Sequence, residues 1–421
     1  MLHAIKTQKL GPFAGAMAGA VQACVHCGFC LAACPTYGEL GQEMDTPRGR
    51  IVLMKRVLEE DLPWEAAQPH IDRCLGCLAC EPACPSGVQY RDLINPYRVL
   101  SKPRVSRSAT ESLGRAIEAL VLPFPARFRF ATRLGRFGRL FPKLLPRRVR
   151  TALELLPTAL PPQQTLPAFV PARGERRARV ALLTGCVQQV LDPDINVATI
   201  EVLSRNGVEV VIPARQSCCG GLAWHTGDLA AAQKFARRNL EAFPDDIDAI
   251  LTNAAGCGST MQEYHLILRG TPDEGRADLF RRRVLDVSRY LAALGLRDTF
   301  GPPKAQRIAY HDACHLAHAQ KVSAEPRQLL GAIPGVELLE IASPHLCCGS
   351  AGTYNLDQPE IASSLGIKKA QAILATGAQL VTSGNIGCLT QLRWHLARLG
   401  SRIPIRHTMQ VLRDAYVDDR A

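Results

Sequence analysis

The stretches CVHCGFCLAACP, at residues 24–35, and CLGCLACEPACP, at residues 74–85, decide how the first part of this chain folds. Each holds four cysteines at the spacing CxxCxxCxxxCP, which is typical of loops that bind a [4Fe–4S] cluster. Three thiolates two residues apart can wrap one cluster. The proline then turns the chain away, so that the fourth cysteine reaches a second cluster. The two runs therefore predict a pair of clusters that exchange their fourth ligands.

This spacing assigns the ligands of both predicted clusters. The first cluster takes its ligands from Cys24, Cys27, Cys30 and Cys84. The second cluster takes its ligands from Cys74, Cys77, Cys80 and Cys34.

Composition and charge predict a cytoplasmic, metal-binding protein. The 421 residues carry a net charge of +12 and 47% of them are hydrophobic, so we expect two or three domains with buried cores. We recognise no secretory leader and no apolar run long enough to span a membrane. Sixteen cysteines in a reducing compartment indicate metal ligands rather than disulfides. The basic balance indicates an acidic partner or an anionic membrane surface.

The second half of the sequence repeats itself. The recurring anchors are cysteines, because 128 residues separate Cys186 from Cys314, 129 separate Cys218 from Cys347 and 131 separate Cys257 from Cys388. Each anchor follows a short aliphatic run typical of a buried strand, and helical segments such as 228–242 and 359–375 lie between these runs. Alternating strands and helices predict a mainly parallel sheet in each copy, with ligands beyond the carboxyl ends of the strands.

These patterns predict a multidomain fold. An α-helical, ferredoxin-like two-cluster domain covers residues 1–100 and includes a helix near 49–60. A basic amphipathic stretch and a proline-rich linker cover 101–178, where five prolines between 157 and 178 exclude a regular helix or a central strand. Two α/β units, which we name CCG units after their Cys-Cys-Gly motifs, cover 179–300 and 301–421.

The cysteines of the CCG units are predicted metal ligands. Buried free cysteines are the alternative, but identical placement in two copies favours the binding of one or two further iron–sulfur clusters. We expect Gly220 and Gly349, which follow the cysteine pairs, to let the backbone approach a bulky ligand. The candidate ligands are Cys186, Cys218, Cys219 and Cys257 in the first unit and Cys314, Cys347, Cys348 and Cys388 in the second.

These units resemble the cysteine-rich CCG domains of heterodisulfide reductase. In that family each domain ends in CxxC, and five cysteines hold a non-cubane [4Fe–4S] cluster. This chain has Ala254 and Asn385 where the first cysteine of that CxxC would stand, and only Cys257 and Cys388 match its end. Four thiolates per site suffice for an ordinary cluster, so the departure disfavours the five-thiolate form and disulfide-reducing chemistry.

The chain as a whole resembles the iron–sulfur subunit of bacterial glycolate oxidase. The resemblance runs from the start to beyond residue 400, and it rests on CVHCGFCLAACPTYGELGQEMDTPRGRI, CLGCLACEPACPSGVQY, NAAGCGS and YHDACHLAHAQ. It implies an electron-transfer subunit with no catalytic residue of its own, in a complex with FAD-containing dehydrogenase subunits. Those subunits would oxidise glycolate to glyoxylate, and also 2-hydroxy acids like D-lactate. This chain would pass the electrons towards the respiratory chain.

The sequence motifs agree with an electron-transfer subunit whose flavin-containing partner carries out the oxidation. We recognise no glycine-rich dinucleotide fingerprint and no Walker loop in the sequence. Clusters carry single electrons, whereas the oxidation of a hydroxy acid removes two. The flavin active site is therefore expected on a partner chain.

A basic stretch from Arg127 to Arg150, RFRFATRLGRFGRLFPKLLPRRVR, contains no acidic residue. In a helix, many of its apolar residues would gather on one side, as in an interfacial membrane helix, although two glycines and two prolines would break it. A helical hairpin packed on the protein is the alternative. Membrane docking would place the protein on the inner face of the cell membrane, close to a quinone acceptor. No nucleic-acid partner is expected.

Three other functions stay open at this point. The iron–sulfur subunit of anaerobic glycerol-3-phosphate dehydrogenase has a similar layout, and the CCG half could act as a thiol–disulfide reductase. A zinc-based interaction module is the third. It is disfavoured because structural zinc sites use two CxxC pairs, whereas each run here has a third cysteine and a terminal Cys-Pro.

Several polar residues lie close to the predicted ligands. His311, Asp312 and His315 surround a candidate cysteine and could transfer protons or donate hydrogen bonds, although loop packing is the simpler interpretation. Arg48 and Arg50 could form a phosphate or carboxylate contact, although surface arginines at the start of a helix are the simpler interpretation.

Overall fold

The computed structural model describes residues 2–138, 146–157 and 159–417. Its N-terminal part contains helices and cysteine loops. Short 3-10 turns lie at Thr7–Lys9, Gly11–Phe13 and Glu43–Asp45. The helices are α1 (Ala14–Ala23), α2 (Pro35–Leu40), α3 (Pro47–Leu58), α4 (Trp64–Asp72) and α5 (Arg91–Ser101).

Local sequence explains why α3 begins and what it buries. The Thr46 side chain accepts a hydrogen bond from the amide of Gly49 (2.9 Å), and Pro47 occupies the first turn, where its missing N–H costs nothing. The apolar face of the helix, which includes Met54, points into the core. The helix predicted near 49–60 is confirmed within two residues at each end.

The middle of the chain forms a helical layer. It contains α6 (Ala109–Val121), α7 (Pro125–Gly138) and α8 (Arg147–Leu155), followed by the two-residue strand β1 (Phe169–Val170). On α7 the apolar side chains divide between two faces, because Phe128 is buried whereas Phe130 and Leu134 are exposed. Five apolar residues of the predicted amphipathic pattern lie outside the described side chains: Phe137, Leu140, Phe141, Leu144 and Leu145.

The first sheet has the strand order β1-β3-β2-β4-β5. Its strands after β1 are β2 (Ala178–Leu183), β3 (Val208–Val211), β4 (Ala249–Thr252) and β5 (Val284–Asp286). These four strands are parallel, whereas β1, which lies in the predicted linker, pairs antiparallel with β3 at the edge. The helices of this unit are α9 (Gln188–Leu191), α10 (Asp194–Arg205), α11 (Gly221–His225), α12 (Leu229–Ala242), α13 (Ala255–Gln262), α14 (Tyr264–Ile267), α15 (Glu274–Arg282) and α16 (Val287–Leu294).

The second sheet has the order β7-β6-β8-β9 and is parallel throughout. Its strands are β6 (Gln306–Tyr310), β7 (Val336–Leu339), β8 (Leu380–Ser383) and β9 (Ile405–His407). A π-helical turn spans His315–Ala319, and the helices are α17 (Ala324–Gly331), α18 (Tyr354–Asp357), α19 (Pro359–Ala375), α20 (Ile386–Arg398) and α21 (Thr408–Ala415). This order matches β3-β2-β4-β5 of the first sheet, so the predicted repeat of mainly parallel units is confirmed.

Continuous apolar packing places the cysteine loops on the sheets. One buried cluster contains Met17 and Leu93 of the N-terminal helices together with Trp224 and Tyr264 of the first CCG unit. A second cluster joins the two sheets through residues such as Val180 and Ile308. Among the described residues, no helix has the length and apolar character needed to cross a membrane.

Candidate iron–sulfur centres

The two cysteine runs at residues 24–34 and 74–84 fold into similar loops. Helix α1 ends directly before the first run and α4 ends shortly before the second. The residues two and four after the first cysteine of each run have positive φ: His26 (59°) and Gly28 (86°) in one, Gly76 (63°) and Leu78 (61°) in the other. This left-handed backbone costs a side-chain-bearing residue roughly 1–2 kcal/mol. Both runs therefore make the same turn, although their glycines occupy different positions.

The first predicted set of thiols is brought together in the structure. Cys24, Cys27, Cys30 and Cys84 line one cleft. Burial raises the pKa of Cys24, and the charges of Cys84 and Cys27 raise it further. Burial and the charges of Cys24 and Cys84 likewise raise the pKa of Cys30. The fourth cysteine of the second run therefore lies with the first run, as the exchange of ligands requires.

The second predicted set is more deeply buried. Burial raises the pKa of Cys77 and of Cys80 well above the ordinary thiol value, and each is raised further by its neighbours Cys74 and Cys34. The amide of Gly76 donates a hydrogen bond to the Cys74 sulfur at 3.4 Å. Each predicted set is thus a group of neighbouring thiols, and the ligand assignment itself stays a prediction.

A buried charge network supports the second set. Arg50 is 1% exposed, and its guanidinium donates hydrogen bonds to the Thr36 hydroxyl (3.0 Å), the His70 carbonyl (2.7 Å) and the Asp45 carboxylate (3.3 Å). It also lies 3.9 Å from the Cys34 sulfur. The interpretation of Arg50 as a surface residue was therefore wrong. Its place on the apolar face of α3, four residues before Met54, was the sequence signal for burial.

This network carries positive charge to the thiols. Burial alone would raise the pKa of Cys74, but the charges of Arg50 and Arg98 bring it below the ordinary thiol value. Arg48, by contrast, is partly exposed and pairs with Glu43 at 2.8 Å, as expected for a surface residue. Buried arginine favours the thiolate form, which is the form that binds metal.

The first CCG unit gathers its four cysteines beyond the carboxyl ends of β2, β3 and β4. The sulfurs of Cys186 and Cys218 are 3.6 Å apart. Hydrogen bonds from the Cys218 and Cys257 thiols hold the pKa of Cys219 well below the ordinary value. The amide of Gly221 also donates to the Cys219 sulfur at 3.4 Å. The site is thus a compact group of thiols, and Cys219 is the one whose pKa its neighbours lower.

The second CCG unit repeats this arrangement with different neighbours. The pKa of Cys314 is raised well above the ordinary value by a hydrogen bond with Cys347 and by burial. Cys348 is hydrogen-bonded to both Cys347 and Cys388. The Asn385 amide donates to the Cys388 sulfur at 3.4 Å.

One buried cation lies close to these thiols. Lys369 of α19 is fully buried and donates to the Ser343 carbonyl at 2.8 Å. Burial lowers its pKa, while the nearby thiols of Cys348 and Cys347 oppose that shift. Sequence reasoning missed Lys369, although its place on the apolar face of α19, four residues after Leu365 and four before Ile373, was the sequence signal for burial.

The glycines of the Cys-Cys-Gly motifs allow a helix to pack closely behind each cysteine pair. Gly349 has a φ of 84°, and a Cβ there would lie 2.3 Å from the Ala362 carbonyl oxygen of α19. At Gly220, with a φ of 83°, a Cβ would lie 3.2 Å from the Cβ of Phe235 on α12. The space is filled by the helix that packs behind each pair. The expected approach of the backbone to a bulky ligand stays a prediction, and the amides of Gly220 and Gly349 donate to the sulfurs of Cys218 and Cys347 at 3.4 Å.

The three polar residues around Cys314 make different contacts. Asp312 forms an ion pair with Arg327 at 2.7 Å. His315 bonds to the Gly76 carbonyl (3.0 Å) and to the Ser259 hydroxyl (2.6 Å), so it ties the second cysteine run to both CCG units. These contacts are the ones expected of loop packing, and a role of the two residues in proton transfer stays a prediction. The His311 ring instead lies beside the thiols of its own unit.

The second cysteine run adjoins the second CCG site. After burial, the charge of Cys314 is the largest influence that raises the pKa of Cys77. Cys77 in turn raises the pKa of Cys347. These thiol groups lie near one another although 237 residues separate Cys77 from Cys314 and 270 separate it from Cys347 in sequence. The sequence repeat could not reveal this contact, because it depends on how the N-terminal part docks.

The donor sets fit iron–sulfur groups. Each offers four converging cysteine sulfurs, and backbone amides donate to sulfurs at 3.4 Å in three of them. Thiolates with amide hydrogen bonds are the ligands that such clusters use. The N-terminal sets and the CCG sets are therefore both chemically competent to hold iron and sulfide.

Comparison with known families agrees with this chemistry. A family model described as a 4Fe-4S dicluster domain matches residues 20–88. A second model, described as a cysteine-rich domain, matches residues 180–262 and 308–393. The two matches coincide with the paired cysteine runs and with the two CCG units.

Curated relatives extend the likeness over the whole chain. The glycolate oxidase iron-sulfur subunit of Escherichia coli (strain K12) is 38% identical over 403 residues, covering 94% of each chain. The probable glycolate oxidase iron-sulfur subunit of Bacillus subtilis (strain 168) is 36% identical, covering 93% of each. Lactate utilization protein A of Oceanobacillus iheyensis (strain DSM 14371 / CIP 107618 / JCM 11309 / KCTC 3954 / HTE831) is 30% identical, covering 56% of this chain and 96% of the relative. The chain belongs to the family of glycolate oxidase iron–sulfur subunits.

Proposed function

We propose that this chain is the electron-transfer subunit of a flavin-dependent glycolate oxidase complex. It takes electrons from FAD on a partner subunit, where glycolate or a similar 2-hydroxy acid such as D-lactate is oxidised, and passes them towards the respiratory chain. The observation that carries the proposal is the proximity of Cys77 to the second CCG site: Cys77 and Cys314 pack against the buried cluster that contains Cys347, and the charges of these thiols raise one another's pKa. It makes the N-terminal sets and the second CCG site one continuous group of metal-binding positions.

The proposal assigns cysteine ligands to each iron–sulfur cluster. Two [4Fe–4S] clusters are held by the two N-terminal cysteine sets, and the CCG cysteines hold one or two more. When bound, such clusters accept and release single electrons. The chain itself excludes water by burying the second set and both CCG sets, and it supplies positive charge through Arg50 and Lys369.

The partner requirement gives the direct test. The chain should be inactive alone and should support glycolate-dependent reduction of a quinone analogue only together with its FAD-containing subunits. A Cys77→Ser variant should abolish that transfer while the flavin subunits still bleach in the presence of glycolate. Full glycolate turnover by the purified chain alone contradicts the proposal.

A change of substrate distinguishes the proposed function from the main alternative, an iron–sulfur subunit of glycerol-3-phosphate dehydrogenase. In the same reconstituted complex, glycerol-3-phosphate should fail to reduce the flavin where glycolate and D-lactate succeed. The reverse result favours the glycerol-3-phosphate dehydrogenase assignment. Disulfide reduction by the chain without flavin subunits would instead favour a catalytic role for Cys219.

The proposed complex docks on the inner face of the cell membrane through α6 and α7. Arg127, Phe130, Arg133 and Leu134 are exposed at spacings of three and four on one face of α7. Helix α6 packs against α7 and exposes a second apolar row, formed by Leu113, Ile117 and Leu120. Exposed apolar side chains flanked by arginines suit an anionic lipid surface.

Vesicle sedimentation tests this docking. The full chain should bind vesicles that contain anionic phospholipid and should not bind vesicles of phosphatidylcholine alone. The double variant Phe130→Asp, Leu134→Asp should lose that binding. Leu279→Asp on α15, where the side chain is 67% exposed, should keep it as the matched control. Equal binding by both variants contradicts the docking surface.

A further inference from the structure

A histidine shares the buried thiol site of the second CCG unit. One ring nitrogen of His311 and the sulfurs of Cys348 and Cys388 all lie within 4.8 Å of one another, and the three residues are buried. Imidazole nitrogen and thiolate sulfur are the donors that borderline metals such as Zn²⁺ and Fe²⁺ accept together. The spacing therefore lets a single metal atom contact all three.

The His311 ring also has an unsatisfied nitrogen. The residue is 2% exposed, and its Nδ1 has no hydrogen-bond partner among the described residues. Its backbone amide is satisfied, because it donates to the Thr382 carbonyl at 2.8 Å and thereby extends the pairing of β6 with β8. The strand pairing thus holds the backbone of His311 beside the site, and an orphaned buried nitrogen of this kind normally has a partner.

The internal repeat shows that the fold does not need this histidine. His311 lies three residues before Cys314, and Leu183 lies three residues before Cys186 in the first unit. Leu183 is fully buried in the same core cluster as Cys186. A leucine at this position therefore packs well beside a set of four thiols. The imidazole is a feature of the second unit alone.

We propose that His311 is a ligand of the metal group in the second CCG unit, together with the Cys348 and Cys388 thiolates. The second site is then a mixed thiolate–imidazole centre, whereas the first uses thiolates alone. The metal atom is either an iron of an iron–sulfur cluster or a single Zn²⁺. Within the proposed function, a neutral ligand in place of an anionic one raises the reduction potential of an iron site.

Nitrogen coupling is the decisive measurement. The full chain is produced with ¹⁵N-histidine and purified without oxygen, and the reduced protein is measured by pulsed electron paramagnetic resonance and by X-ray absorption at the iron and zinc edges. A strong ¹⁵N coupling identifies iron, and nitrogen scattering at the zinc edge identifies zinc. His311→Leu, which copies the first unit, should remove the nitrogen signal and weaken metal retention against a chelator at least about tenfold.

A matched control comes from the same unit. His395 of α20 is also fully buried and also has an Nδ1 without a partner among the described residues. It is not one of the three residues grouped around the thiols. His395→Leu should therefore keep the nitrogen signal that His311→Leu loses.

A second variant guards against a folding failure. His311→Cys restores a metal donor, so it should retain metal and lose only the nitrogen signal. An unchanged nitrogen signal in His311→Leu overturns the proposal, and so does a full chain whose CCG units hold neither iron nor zinc. Glycolate turnover with the flavin subunits is measured separately, so that a failure of the proposed function is distinguishable from a failure of this ligand assignment.

Discussion

Removal of the Arg50 guanidinium should destabilise the N-terminal part strongly. In Arg50→Met the side-chain volume is largely kept, but the His70 carbonyl, the Thr36 hydroxyl and the Asp45 carboxylate each lose a donor. Two hydrogen bonds to neutral groups contribute about 1 kcal/mol each, and one to a charged group about 1.5–3 kcal/mol. We therefore expect a loss of about 4 kcal/mol, within the range seen when one partner of a buried ion pair is removed.

In Arg50→Met the Asp45 carboxylate keeps two other side-chain partners, which limits the loss of stability. Its carboxylate is fully buried and remains 3.1 Å from both the His70 ring and the Arg73 guanidinium. The loss should therefore not greatly exceed the estimate above. A loss of this size corresponds to a fall of roughly 5–10 °C in the unfolding midpoint.

The assay is thermal unfolding of the full chain, purified and heated without oxygen, followed by circular dichroism. The matched control is Arg48→Met, two residues earlier in the same helix. Arg48 is partly exposed, pairs with the half-exposed Glu43 and donates to the His26 carbonyl at 3.0 Å, so its removal should cost only about 1–2 kcal/mol. Equal midpoints for the two variants would refute the reasoning.

Arg50→Lys separates charge from hydrogen-bond geometry. Lysine keeps the positive charge near Cys34 but cannot reproduce the forked donors of the guanidinium. We expect it to recover little stability. It should nevertheless keep the reduction potential of the N-terminal iron close to that of the unchanged chain, whereas Arg50→Met should lower it, because a nearby positive charge favours the added electron.

Three further predictions follow from buried groups. Burial raises the pKa of Glu263 to about 7 from about 4.3 in the unfolded chain, so the folded state keeps a proton that the unfolded state has lost. The free energy of unfolding should then fall by roughly 3 kcal/mol as the pH rises from about 4 to above 7, and Glu263→Gln should flatten that profile in thermal unfolding; an unchanged slope counts against it. Gly349→Ala should cost about 2–4 kcal/mol, because the new Cβ collides with a backbone carbonyl of α19. Gly400→Ala has the same positive φ in open space, so its cost in denaturant titration should be only about 1 kcal/mol, and similar costs for both would show that the collision is unimportant. His315→Leu should cost about 2–4 kcal/mol and speed hydrogen exchange of the second cysteine run, which this ring holds against the CCG units; exchange at the unchanged rate contradicts that role.

Much of the fold could be predicted from patterns of residues that are close together in the sequence. The helix predicted over 359–375 is found as Pro359–Ala375, and the one predicted over 228–242 is found as Leu229–Ala242, with Asp228 as its cap. Both are periodic segments between aliphatic strand runs, for which local propensity and burial agree. The exposed and buried faces of α7 were harder to foresee. Some of its apolar side chains pack into the core and others are exposed on the opposite face. Only tertiary packing decides which residues lie on which face.

The sequence by itself determined the metal chemistry, the repeat and the family, because ligand spacing and strand–helix alternation are written in neighbouring residues. Only the tertiary structure decided which thiols Arg50 and Lys369 lie beside, that Cys77 lies near the second CCG site, and that His311 shares a site with Cys348 and Cys388. These contacts join residues from separate helices, strands and loops. Their energy comes from the burial of charges and thiols between elements, which no local pattern of the sequence encodes.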